Sequence, residues 1–243
     1  MKIRDRPGAD ARGKLYLVVE IAIVLALSAI LVKAVAPATV FDTVWGRLYP
    51  PARTLAMLGF VGWLLSLTGQ NWRDMGFRRP RSWPKTIGLG VGTFVVSVVA
   101  NQLLRHAMIG LGLSPGGDIH LFARVQGNLL EYLYFAIPIA VFVAGFGEEL
   151  IGRGYLISRI AAILGDGKSS LVLALLLSSA LFGMAHAYQG ASGVIQTGTT
   201  GFIFGAAYLL AGRNIWPAII AHSISDVTGF TILFLGGAKL IGS

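Results

Sequence analysis

Two adjacent carboxylates, Glu148 and Glu149, stand in the stretch FVAGFGEELIGRGYL (142–156), after a long apolar run and with Arg153 four residues past the second. Two further pairs share that apolar setting and that spacing: Phe182 with His186, and His222 with Asp226. Carboxylates and imidazoles are the side chains that deprotonate water, ligate metals or pass protons through a membrane. An ionised group at the bilayer centre costs roughly 2.5–3.5 kcal/mol even on the lenient insertion scale, so such groups point first to function. Residues at i and i+4 meet on one helix face, and Glu before Arg is the favourable order for an ion pair. Each residue alone has a plainer reading as an interhelical hydrogen-bonding group, and Gly145, Gly147, Gly152 and Gly154 fit close helix contact as well. Three pairs in three separate apolar segments argue for one shared site.

The elements that must position these groups are membrane helices. Of 243 residues, 55% are hydrophobic and 13% charged, with mean hydropathy +0.71; soluble domains carry about 25% charged residues. The fold class expected is an all-α, polytopic transmembrane bundle of about seven spans (six to eight). Residues 1–14 read as a basic cytoplasmic tail and 15–243 as a single transmembrane domain, its motifs confined to 129–229. Expected spans are 15–36, 53–68, 86–113, 129–164, 169–187, 194–210 and 215–235. Residues 40–51 read as a loop. The triplet Ala34-Val35-Ala36 imitates a cleavage site, but the apolar run before it exceeds the roughly 7–15 residues of a signal-peptide core.

The segment NWRDMGFRRPRSWPK (71–85) suits the headgroup region, with Arg and Lys on phosphates and Trp at the interface. The net charge of +9 is explained by such flanks rather than by nucleic acid. Lys and Arg concentrate in 1–14, 72–85 and 153–168, which favours a cytoplasmic N-terminus in the cytoplasmic membrane of a prokaryote. With no cysteine, disulfide and thiolate chemistry are excluded.

Topology brings the polar pairs together. Glu149 precedes the turn at Asp166-Gly167 by 17 residues and His186 follows it by 19, so in two antiparallel helices they reach similar heights at about 1.5 Å per residue. His222 and Asp226 climb the last helix from the Gly212–Asn214 turn. The expectation is that Glu149, His186 and His222 or Asp226 converge on one cavity in the bundle. His106 reads as a solvated histidine near a helix end, and Glu20 as a group that snorkels or pairs with a neighbouring helix.

The ordered set Glu148-Glu149 with Arg153, Phe182 with His186, and His222 with Asp226 resembles the EExxxR, FxxxH and HxxxN/D motifs of the CPBP family. These are the CAAX-processing and bacteriocin-immunity-type intramembrane proteases, also called the Abi family. The resemblance implies hydrolysis of a peptide bond in a membrane-associated protein or peptide. It implies Glu148 as general base on a water held jointly with His186. Glu149 would pair with Arg153 and set the electrostatics, while His222 and Asp226 would face the tetrahedral oxyanion. Phe182 and Arg153 would be supporting residues. Asp226 stands where eukaryotic-type members have Asn; the bacterial branch accepts Asp, which would be protonated or would orient His222.

Competing readings use the same residues. Glu, His and His are a zinc-type ligand set with room for water, although HExxH is absent: Ala187 follows His186 and Ser223 follows His222. The reading preferred is a metal-independent glutamate mechanism with no cofactor. A proton-coupled transporter would show inverted repeats, and none is visible. A silent bacteriocin-immunity relative would have little reason to keep the whole set. The sequence identifies neither a prenyl pocket nor an oligomeric state.

Overall fold

The computed structural model describes residues 10–33, 41–112, 120–165 and 167–236. Seven long helices account for most of them: α1 (Ala11–Lys33), α2 (Val44–Leu67), α3 (Trp83–Gly110), α4 (Leu129–Leu164), α5 (Lys168–Ala185), α6 (Gly190–Leu210) and α7 (Trp216–Phe234). No strand occurs among the described residues. This is the helical bundle expected. Five helices, α1, α3, α4, α5 and α7, are both long and apolar enough to cross a membrane. The 24-residue α2 and the 21-residue α6 have the length but less apolarity. Pro115-Gly116-Gly117, Ala34–Ala36 and Asp166 lie outside the described residues.

Several boundaries differ from expectation. α1 starts at Ala11 rather than Leu15, taking Arg12 and Lys14 into its first turns. α2 starts at Val44, so Trp45, Tyr49, Pro50 and Pro51 are helical rather than in a loop. Thr43 caps it, its Oγ1 accepting from Gly46 N at 3.0 Å. A proline inside a helix leaves the carbonyl four residues back without its donor. For Pro51 that carbonyl belongs to Arg47, and the Tyr134 hydroxyl donates to it at 2.9 Å. A neighbouring helix has repaired the ladder, which local sequence cannot show. Between the third and fourth expected spans, His120–Val125 forms a short 3₁₀ turn.

α4 carries Glu148 and Glu149 and is unusual in its winding. Asn128 caps it, Oδ1 accepting from Leu130 N and Glu131 N at 3.1 and 3.2 Å. Gly165, with φ +109°, ends it in the left-handed conformation. Between these ends, Phe135–Glu148 and Leu150–Leu156 wind with the wider i→i+5 pattern. Such stretches are rare and recur at functional sites. Pro138 lies inside the widened stretch. Ser178 on α5 donates to Gly152 O at 2.7 Å, supporting the widened backbone from outside.

α4 runs through the middle of the bundle. α7 packs along its Phe135–Glu148 part, α5 along its second half, and α1 against its last turns. The largest core cluster joins Val61 and Leu65 of α2, Tyr155 and Ile157 of α4, Leu175 of α5, Phe204 and Tyr208 of α6, and Ile219 of α7. Apolar residues such as Val95, Val99, Leu173 and Leu177 face outwards, as a lipid-facing surface requires.

Candidate active site

Glu149 is fully buried and is the centre of the site. Its Oε1 lies 2.7 Å from His222 Nδ1 on α7 and 3.0 Å from Arg153 Nη1 one turn along α4. A carboxylate only accepts, so the His222 Nδ1 carries the hydrogen. The Arg153 contact is an ion pair whose N–H groups are not aligned for a hydrogen bond, and Glu149 Oε2 has no hydrogen-bond partner among the described residues. With water excluded, the carboxylate is tolerable only because two cationic or donating groups face it. The i,i+4 pairing expected from sequence is present.

Arg153, 1% exposed, is held by more than charge. Its guanidinium carbon sits 4.1 Å from the Phe182 ring centroid and 5.9 Å from that of Phe204. A cation over an aromatic face gains most where it is desolvated. A Cβ on Gly201 of α6 would meet both Arg153 Nη2 and the Phe182 ring at 3.1 Å, so glycine there makes room for the guanidinium.

Phe182 also joins the two histidines. Its centroid is 4.7 Å from that of His186 and 6.2 Å from that of His222. His186 ends α5, and its Nδ1 lies 2.8 Å from the Phe182 carbonyl. A carbonyl accepts, so Nδ1 carries a hydrogen, and Nε2 is the nitrogen left for another partner. His222 lies between Glu149 and Asp226: its Nε2 is 3.7 Å from Asp226 Oδ2, an ion-pair distance and longer than a hydrogen bond.

Glu148 contrasts with its neighbour. It is half-buried and makes no hydrogen bond or ion pair among the described residues. It directly precedes Glu149 on α4 and so adjoins the same cluster. The Asp226 side chain is 34% exposed, so the cluster grades from dry at Arg153 to open at Asp226. All seven residues singled out from sequence are thus brought together. A cleft of about 770 Å³ elsewhere in the bundle is lined by none of them.

Sequence reasoning misses two neighbours and misplaces a third residue. Phe204 on α6 packs its ring 5.3 Å from His222, and an aromatic in an apolar helix carries no local signal. Tyr188, in the turn after α5, has its ring 5.9 Å from His186 and its hydroxyl within the fields of Glu148 and Asp226. Arg159 falls among the flanking cations by sequence, yet it is 2% exposed and donates from Nε to Glu20 Oε1 at 2.9 Å. Its remaining N–H groups reach Gln70 and Thr68. Glu20 therefore pairs with a neighbouring helix and does not snorkel. Arg153 and Arg159 are both interior, which leaves Lys168 as the exposed cation of 153–168. His106 lies on the exposed surface, its Nδ1 2.7 Å from the Gln102 carbonyl of its own helix.

Among the described residues, no group of three or more His, Asp or Glu side chains is arranged to hold a metal ion. Glu149 Oε1 is already committed to Arg153 and His222.

Comparison with curated proteins and with solved structures gave no match. The comparison with family models did. From the second residue of α4 to two residues past Asp226, residues 130–228 match the model of the Rce1-like family, type II CAAX prenyl endopeptidases.

Proposed function

We propose that this protein is an intramembrane endopeptidase in which Glu148 activates water for attack on a peptide bond of a membrane-associated protein or peptide. The observation that carries the reading is the division between adjacent glutamates. Glu149 is buried and held by His222 and Arg153; Glu148 is half-buried and unpartnered among the described residues. A general base must be free to take a proton, and a group already neutralised by two partners is not. The matched family is one of peptidases, and apolar helices of membrane length support an integral-membrane setting.

In this mechanism Glu148 removes a proton from water, with His186 Nε2 holding the same water. The water oxygen bonds to the carbonyl carbon, and the carbonyl π pair moves onto oxygen. His222 acts as the imidazolium, its Nδ1–H held by Glu149 and its Nε2–H, beside Asp226, donated to that oxyanion. The C–N bond then breaks, and the proton taken by Glu148 passes to the leaving amine. The oxyanion pair re-forms the carbonyl as the amine leaves, and the second water proton stays on the new carboxyl group.

The test is a comparison of membrane peptide termini from cells carrying the wild type or Glu148→Gln. The expected result is a set of new termini present with the wild type and absent with the variant. Identical termini in both, at equal protein levels, would overturn the assignment.

A further inference from the structure

The cleft of about 770 Å³ lies apart from the carboxylate–histidine cluster and is lined by Asn71, Trp72, Arg73, Phe77, Arg78, Arg79, Trp83 and Trp216. Its floor is fixed rather than loose. The segment 71–82 is tied to the 211–215 turn: Ile215 N donates to Gly76 O at 3.1 Å, Asn214 Nδ2 to Arg78 O at 3.0 Å, and Arg78 Nη2 to Gly212 O at 2.9 Å. Gly76, with φ +102°, is the one residue type that fits there, since a Cβ would run into the Arg213 carbonyl.

One wall is aromatic. Trp216 packs edge-on against Trp83 at 5.2 Å and tilted against Phe77 at 5.5 Å. The lining also includes three arginines. Arg73 and Arg79 are exposed, and their guanidinium groups have no ion-pair or hydrogen-bond partner among the described residues, while Arg78 spends one N–H on Gly212. Asp74 is the nearby acid, its Oδ2 accepting from Asn71 N at 2.8 Å. Trp83 and Trp216 each begin a membrane-length apolar helix, so the cleft sits at the ends of spans, where indole rings favour the headgroup level.

We propose that this cleft binds the phosphodiester headgroup of an anionic phospholipid, Arg73 and Arg79 holding the phosphate while Trp83 and Trp216 flank the glycerol and upper chains. Planar guanidinium groups suit phosphate oxygens. The indole wall selects a lipid over a free anion, because phosphate alone would leave it unused.

Fluorotryptophan-labelled full-length protein in neutral detergent tests this by ¹⁹F NMR, with Trp45 and Trp63 as reporters outside the cleft. Titration with short-chain phosphatidylglycerol should shift the Trp72, Trp83 and Trp216 resonances saturably. Arg73→Ala/Arg79→Ala should weaken the apparent affinity roughly tenfold or more, and Arg73→Lys/Arg79→Lys should keep most of it. Should the double Ala variant prove unstable, Arg79→Ala alone should still weaken binding measurably. Equal shifts with phosphatidylcholine, an unchanged affinity in the Ala variants, or equally tight binding of inorganic phosphate would overturn the proposal.

Discussion

His222 Nδ1 and Arg153 Nη1 converge on a single oxygen, Glu149 Oε1, at 2.7 and 3.0 Å. Because α7 and α4 are joined there in a dry interior, Glu149 has as much to do with assembly as with chemistry. Glu149→Gln leaves Arg153 buried without its counter-charge, which costs about 3–5 kcal/mol. Thermal unfolding in detergent should show a large loss for Glu149→Gln and almost none for Glu148→Gln.

Arg153 is held on one side by charge and on the other by the Phe182 ring at 4.1 Å. Arg153→Lys keeps the charge and loses the planar stack, whereas Arg153→Ala loses both. The expected order of melting temperatures is wild type, then Lys, then Ala. Equal loss of folded protein in the two variants would contradict that order.

The seven helices and the convergence of three motif pairs were legible in the sequence because both follow from local quantities. These are apolar length for the helices and one-turn spacing with hairpin register for the pairs. What was illegible depended on partners distant in sequence. Pro50 and Pro51 read as loop because the Tyr134 hydroxyl that accommodates Pro51 lies more than 80 residues away. Arg159 reads as a surface cation because its carboxylate, Glu20, is on the first helix. The wide winding of α4 has no periodicity signal that separates it from an ordinary helix.

Glu20 and Arg159, each 2% exposed, tie α1 to the end of α4. Removing one charge strands the other, so Glu20→Leu or Arg159→Met alone should destabilise by about 3–5 kcal/mol. The double variant should recover most of that loss, since a buried pair barely outperforms an apolar one. A double-mutant cycle on thermal or denaturant unfolding reads the coupling directly; strictly additive losses would contradict it.

Glycines on α4 should separate by what faces them. A Cβ on Gly145 would intrude on Ser223 Oγ of α7, whereas one on Gly152 would meet nothing within 4 Å. Gly145→Ala should cost about 1–3 kcal/mol by overpacking, and adding Ser223→Ala should restore part of it. Gly152→Ala should be close to neutral. The comparison needs only unfolding curves of the four proteins.

The most direct test of the central claim is turnover of a cleavable membrane-anchored peptide by purified wild type and Glu148→Gln, with and without a strong chelator. The expected result is a loss of about 10²–10⁴-fold in Glu148→Gln, an unchanged melting temperature, and full wild-type activity in chelator. Full activity in Glu148→Gln, together with loss of wild-type activity on chelation, would contradict it and assign the water to a metal ion.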